Sequence, residues 1–153
     1  MAGYDAFISY SHRADDFRAT ALQGALQNLG RPFYRRKVLD VFRDETSLSA
    51  NPALWPSIER ALTKSRYFIL MASPESSVSP WCTREIEWWL ANRSTDTFLI
   101  ILTAGEYTFD ESAQDFDWTR TTAISQALRG RFPVEPFYRD LRWAQRGGGP
   151  RKE

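Results

Sequence analysis

"YFILMASPESSVSPWCTREIEWW", residues 67–89, decides the fold. Its opening "YFILMAS" (67–73) is apolar without alternation, the pattern of a strand buried on both faces of a sheet. Ser79 and Pro80 then read as a helix start, with the hydroxyl as N-cap and proline at the first helical position. A buried strand passing through a polar loop into a helix is one step of a repeated βα fold.

The same step recurs on either side. "YDAFISY" (4–10) is β-rich, and the next segment places Phe17, Ala21, Leu22, Ala25, Leu26 and Leu29 at helical spacing before Gly30. "VLDVF" (38–42) is a second strand; after the polar "RDETSLSANP" a second helix carries Leu54, Trp55, Ile58, Ala61 and Leu62 on one stripe. Downstream, "TFLIILT" (97–103) predicts another fully buried strand. An acidic, aromatic loop region follows to about residue 120, then a short helix near "AISQALRG" and an edge strand in "EPFYRDL". Five strands and about five helices predict an α/β, flavodoxin-like fold: a five-stranded parallel sheet, order 2-1-3-4-5, with helices on both faces.

Composition narrows the class. A chain of 153 residues, 42% apolar, suffices for one domain with a real core. Its 20 basic and 19 acidic residues nearly cancel, which gives no support to a nucleic-acid partner, and the basic cluster "RPFYRRK" (31–37) reads as a solvated loop. One cysteine excludes an internal disulfide and a cysteine-rich metal site, and one histidine excludes a multi-histidine metal site. No apolar run approaches the ~20 residues that cross a bilayer, and "MAGYDAFISY" lacks the plan of a signal peptide. The expectation is a reduced, cytoplasmic protein with no membrane partner. Residues 1–143 form the domain, and 144–153, with "RGGGPRKE", read as a flexible tail or a linker to a further module, a frayed terminus being the alternative.

In an open parallel sheet, ligands bind outside the carboxyl ends of the strands. The segments placed there are "SYSHRADD", "RDETSLSANP", "SPESSVSPWCTRE" and "TAGEYTFDE"; none is a glycine-rich phosphate loop. On the helix that starts at Pro80, Trp81 and Glu85 are four apart and share a face, while Glu87 lies about 160–200° from Glu85. One side of the helix therefore offers an aromatic wall beside a carboxylate, and Glu87 is expected in solvent. Cys82 is expected to pack as a small hydrophobe. A solvated glutamate and core tryptophans are the plainer alternative for the same residues.

Taken in order, "YDAFISYSH", "FRDETSLSANP" and "SPESSVSPWCTREI" resemble the boxes of a TIR (Toll/interleukin-1 receptor) domain over roughly residues 4–141. The most specific part is the helix start with Ser79, Trp81, Cys82 and Glu85. Members of that family divide between adaptors that only self-associate and enzymes that cleave NAD at the nicotinamide–ribose bond. The resemblance implies that Glu85 is the catalytic glutamate of an NAD nucleosidase, with NAD as substrate rather than cofactor. It further implies substrate contacts from Ser11, His12, Asp44, Leu48, Ser49, Phe68 and Trp81, self-association with other TIR domains, and a fused sensor in bacterial defence or signalling. The loop from Arg43 to Pro52 departs from the family pattern, with "SANP" where a glycine is frequent. Phe68 and Trp81 are equally good core residues. A phosphoacceptor receiver on the same architecture would want acidic residues where "SYSHRADD" and "MASPES" stand.

A single carboxylate suffices for the implied reaction. Nicotinamide leaves a pyridinium as a neutral base, so no acid is needed for the leaving group, unlike ordinary glycoside cleavage. What remains is to stabilise a ribosyl cation, which a fixed carboxylate does best in a water-poor site. The cation can meet water, giving ADP-ribose, or another part of the same nucleotide, giving a cyclic isomer.

Overall fold

The computed structural model describes residues 3–11, 41–43 and 54–142. Its strands are β1 (Tyr4–Ser9), β2 (Val41–Arg43), β3 (Ser65–Ala72), β4 (Phe98–Leu102), β5 (Phe109–Asp110), β6 (Asp115–Phe116) and β7 (Tyr138–Asp140). Its helices are α1 (Trp55–Lys64), α2 (Pro74–Ser77) and α3 (Pro80–Asn92). The main sheet runs β2-β1-β3-β4-β7, and every neighbouring pair in it is parallel. The expected α/β class with a parallel sheet is the observed one. The helix expected over 15–30 and the tail expected over 144–153 lie outside the described residues.

Side-chain alternation splits the sheet into two apolar faces. Phe7, Phe68, Leu70, Ala72, Phe98, Ile100 and Leu102 form one core with Ile58, Ala61 and Leu62 of α1 and Ile86 and Trp89 of α3. Ala6, Ile8, Tyr10, Ile69 and Met71 form a second cluster on the opposite face. The stripe read for α1 is thus the stripe that buries. Register aligns the central strands: Phe7 stands beside Phe68, which stands beside Phe98, and Ser9 stands beside Leu70.

Several expectations need correction. β4 is not buried on both sides: Phe98, Ile100 and Leu102 are buried while Leu99 and Ile101 are half-buried on the face of the second cluster. β3 is buried at Ser65 and again from Phe68 onward, but Arg66 and Tyr67 between them are exposed, Tyr67 by 39%. The helix expected near "AISQALRG" is a single 3-10 turn, Gln126–Leu128. Ser125 caps it by accepting from the Ala127 N–H, and Gly130, at φ 70°, turns the chain away before a second turn can form. The loop region before residue 120 contains a small antiparallel ribbon, β5 with β6.

α3 begins as its sequence demands. The Ser79 hydroxyl accepts from the Cys82 N–H at 3.3 Å, and Pro80 occupies the first turn. At the far end the Arg93 guanidinium donates to the backbone carbonyls of Ser65 and Thr63, tying the end of α3 to the α1–β3 junction. Because α1 ends at Lys64 and β3 starts at Ser65, α1 runs against β3. The starts of α1 and α3 therefore both lie toward the carboxyl edge of the sheet. No helix among the described residues is long and apolar enough to cross a membrane.

Candidate functional site

The buried stripe of α3 is Cys82, Glu85, Ile86 and Trp89, the three-and-four spacing of a helix face laid on a sheet. Three of those residues suit an apolar core. Glu85 does not, yet it exposes none of its surface. An ionised carboxylate at such a position costs several kcal/mol unless hydrogen bonds replace its water. Ser9, itself wholly buried at the end of β1, donates its hydroxyl to Glu85 Oε1 at 2.6 Å. That length lies at the short end of the hydroxyl–oxygen range.

Alternation along β1 explains the meeting. Phe7 and Ser9 point to the same face, the one α3 covers, so the strand offers an aromatic ring in one layer and a hydroxyl in the next. The polar layer lies at the carboxyl edge, where an open parallel sheet binds ligands. Ser9 is the residue that sequence reasoning passed over in favour of Ser11. The signal was present: a small polar residue at an inward-facing position of a strand.

Trp81 borders this stripe. Its ring centroid lies 6.2 Å from that of Trp55 at the start of α1, and the guanidinium carbon of Arg84 stands 4.1 Å from the Trp55 ring centroid. One turn on, the Trp88 indole N–H donates to Glu59 of α1 at 3.1 Å. Trp81, Arg84 and Trp88 thus make the flank of α3 that meets α1. Trp81 is half-buried and next to Glu85 around the helix, but Glu85 is enclosed rather than set on an open wall. Cys82 is buried and Glu87 exposed, as the helical register predicts.

The structure separates the remaining candidates. Phe68 is wholly buried one layer below Ser9, with ring centroids 4.9 Å from Phe98, 5.5 Å from Trp89 and 5.8 Å from Phe7. Its surroundings here are those of a core ring, so packing is the role this geometry displays. Ser11 is half-buried two residues beyond Ser9. His12, Asp44, Leu48 and Ser49 lie outside the described residues.

Three other acidic groups near this edge, among the described residues, are structural. Asp110 and Asp117 are held below the usual carboxylate range chiefly by the Ser112 and Thr119 hydroxyls, and both shape exposed turns. Asp140 is lowered by its hydrogen bonds from Arg142, which also donates to the Gly105 carbonyl at 3.2 Å. These acids already serve as turn makers or ion-pair partners. Glu85 alone among the carboxylates described is enclosed at the strand ends, where a fixed negative charge in a dry site stabilises a cation.

Comparison with known proteins gives consistent matches. A TIR domain model matches residues 6–130. Over 142 residues the chain is 51% identical to the NAD(+) hydrolase ApTIR of Actinoplanes sp. (strain ATCC 31044 / CBS 674.73 / SE50/110), covering 93% of this chain and 20% of that protein. It is 33% identical over 88 residues to the NAD(+) hydrolase TcpA of Theionarchaea archaeon (strain DG-70-1), covering 58% of this chain and 24% of that protein. Among solved structures, a prokaryotic SEFIR domain aligns with TM-score 0.44 at 12% identity, over 88% of this chain and 81% of the other. The chain spans a fifth to a quarter of the length of these curated relatives.

Proposed function

This chain belongs to the TIR domain family, and on that premise we propose that it hydrolyses NAD at the nicotinamide–ribose bond. The observation that carries the reading is Glu85, a carboxylate enclosed at the carboxyl edge of the sheet and hydrogen-bonded by Ser9. The 51% identity to a protein named an NAD(+) hydrolase supports the same substrate.

In this reading Glu85 stabilises the ribosyl cation as neutral nicotinamide departs, and Trp81, half-buried beside it, walls the nicotinamide or ribose. Ser11, His12, Asp44, Leu48 and Ser49 remain proposed substrate contacts. Phe68 supports the site from beneath, as the floor on which the Ser9 layer rests. Because Glu85 exposes none of its surface, turnover requires the site to open. Association with a second TIR domain is the proposed trigger. The finer fold reading, flavodoxin-like with helices on both faces, is supported by the strand order β2-β1-β3-β4-β7. We also propose residues 1–143 as the domain and 144–153 as tail or linker, cytoplasmic placement, a fused sensor, a role in bacterial defence, and a cyclic ADP-ribose isomer as a further product.

The enclosure of Glu85 favours one rival: a non-catalytic self-association module in which the Ser9–Glu85 bond only joins strand to helix. Incubating the associated protein with NAD and following nicotinamide release decides between them. Release abolished in Glu85→Gln supports the enzyme. No release from a verified oligomer leaves the module.

A further inference from the structure

We propose that Ser9 is the positioning residue for Glu85, holding its carboxylate in the orientation that meets the substrate; this rests on the reading that Glu85 acts on NAD. Glutamate has three side-chain torsions, so a helix fixes its Cβ but leaves its carboxylate to be aimed by what it touches. Here the donor and the acceptor stand on rigid elements. Ser9 is the last residue of a strand paired with both β2 and β3, and its own partner in register is Leu70. Glu85 sits on a helix capped by Ser79 at its start and clamped by Arg93 at its end. The 2.6 Å bond between them is buried at both ends, away from competing water.

The polar choice at position 9 is unexplained by packing. Phe7 on the same face of β1, like Leu70 beside Ser9 in register, belongs to the apolar core. An apolar residue at position 9 would extend that core but would offer the carboxylate no donor. A hydroxyl is also better suited than a cation to this task. It orients the carboxylate without neutralising the charge that must face the developing cation. The arrangement follows the general pattern in which a catalytic group is aimed by a buried partner that never touches substrate.

The test uses Ser9→Ala together with Ser9→Thr and Ser9→Val. The last two share an outline and differ in the hydroxyl, so any crowding is common to both. Nicotinamide release, melting temperature and crystal structures are measured for each. A misaimed catalytic group costs on the order of 10²-fold, so Ser9→Ala should lower kcat by about 10- to 100-fold with KM changed by less than about threefold. Ser9→Thr should exceed Ser9→Val in kcat by about tenfold or more on the same ground. In the crystal structures the Glu85 carboxylate should keep its place in Ser9→Thr and leave it in Ser9→Val. Equal kcat for Thr and Val variants, or an unmoved carboxylate in Ser9→Val, would overturn the positioning role. If wild type releases no nicotinamide, the proposed function fails by itself, and the two crystal structures still decide whether Ser9 aims Glu85.

Discussion

Two adjacent layers on one face of the sheet are built to opposite ends. The lower layer joins Phe7, Phe68 and Phe98 across three strands and closes them with Trp89 of α3. The upper layer, one side-chain repeat nearer the carboxyl edge, puts the Ser9 hydroxyl against the Glu85 carboxylate. Both layers are equally buried, so burial alone does not tell core from site. The difference lies in what burial costs. The aromatic layer gains from leaving water, whereas the polar layer must replace the hydration of a carboxylate with a hydrogen bond.

The sharpest way to break this contrast is Glu85→Gln. Glutamine keeps the shape and an oxygen that accepts from Ser9, so the fold should survive. The negative charge is lost, and removing one such electrostatic contribution typically costs about 10²- to 10³-fold in turnover. Nicotinamide release should fall by at least that factor with the melting temperature nearly unchanged. In the lower layer the outcome should reverse. Phe68→Ala should cost about 3–5 kcal/mol of stability by opening a cavity, seen in denaturant titration. Any protein that remains folded should keep measurable turnover.

Smaller effects sharpen the boundary. An aromatic contact contributes ~0.5–1.5 kcal/mol, so Trp81→Leu should raise KM by about 2- to 10-fold while kcat changes less. Steady-state kinetics on the associated protein checks this. Glu87→Gln, on the exposed side of the same helix, should alter stability by no more than ~0.5 kcal/mol and leave turnover as it is. If Glu87→Gln matched Glu85→Gln, the two faces of α3 would not differ in the way the layers require.

Much of this contrast was legible in residues 67–89. Apolar continuity revealed β3, Ser79–Pro80 marked the start of α3, and helical rotation separated Glu85 from Glu87. These signals are local, and backbone geometry enforces them regardless of the rest of the chain. The Ser9–Glu85 bond was harder, because it joins positions 76 residues apart and depends on register. Strand alternation puts Phe7 and Ser9 on one face, but nothing in "YDAFISY" says which helix covers it. β5 and β6 escaped because strands of two residues carry no periodicity. The short helix near residue 126 misled because its apolar spacing is helical, while Ser125 and Gly130 allow it only one turn.

The most direct test of the central claim compares nicotinamide release from wild type and Glu85→Gln, each crowded at high density on a solid support to force association. Wild type should release nicotinamide steadily and the variant should lose at least about a hundredfold, with both proteins equally folded. Equal release from the two, or none from associated wild type, would contradict the central claim.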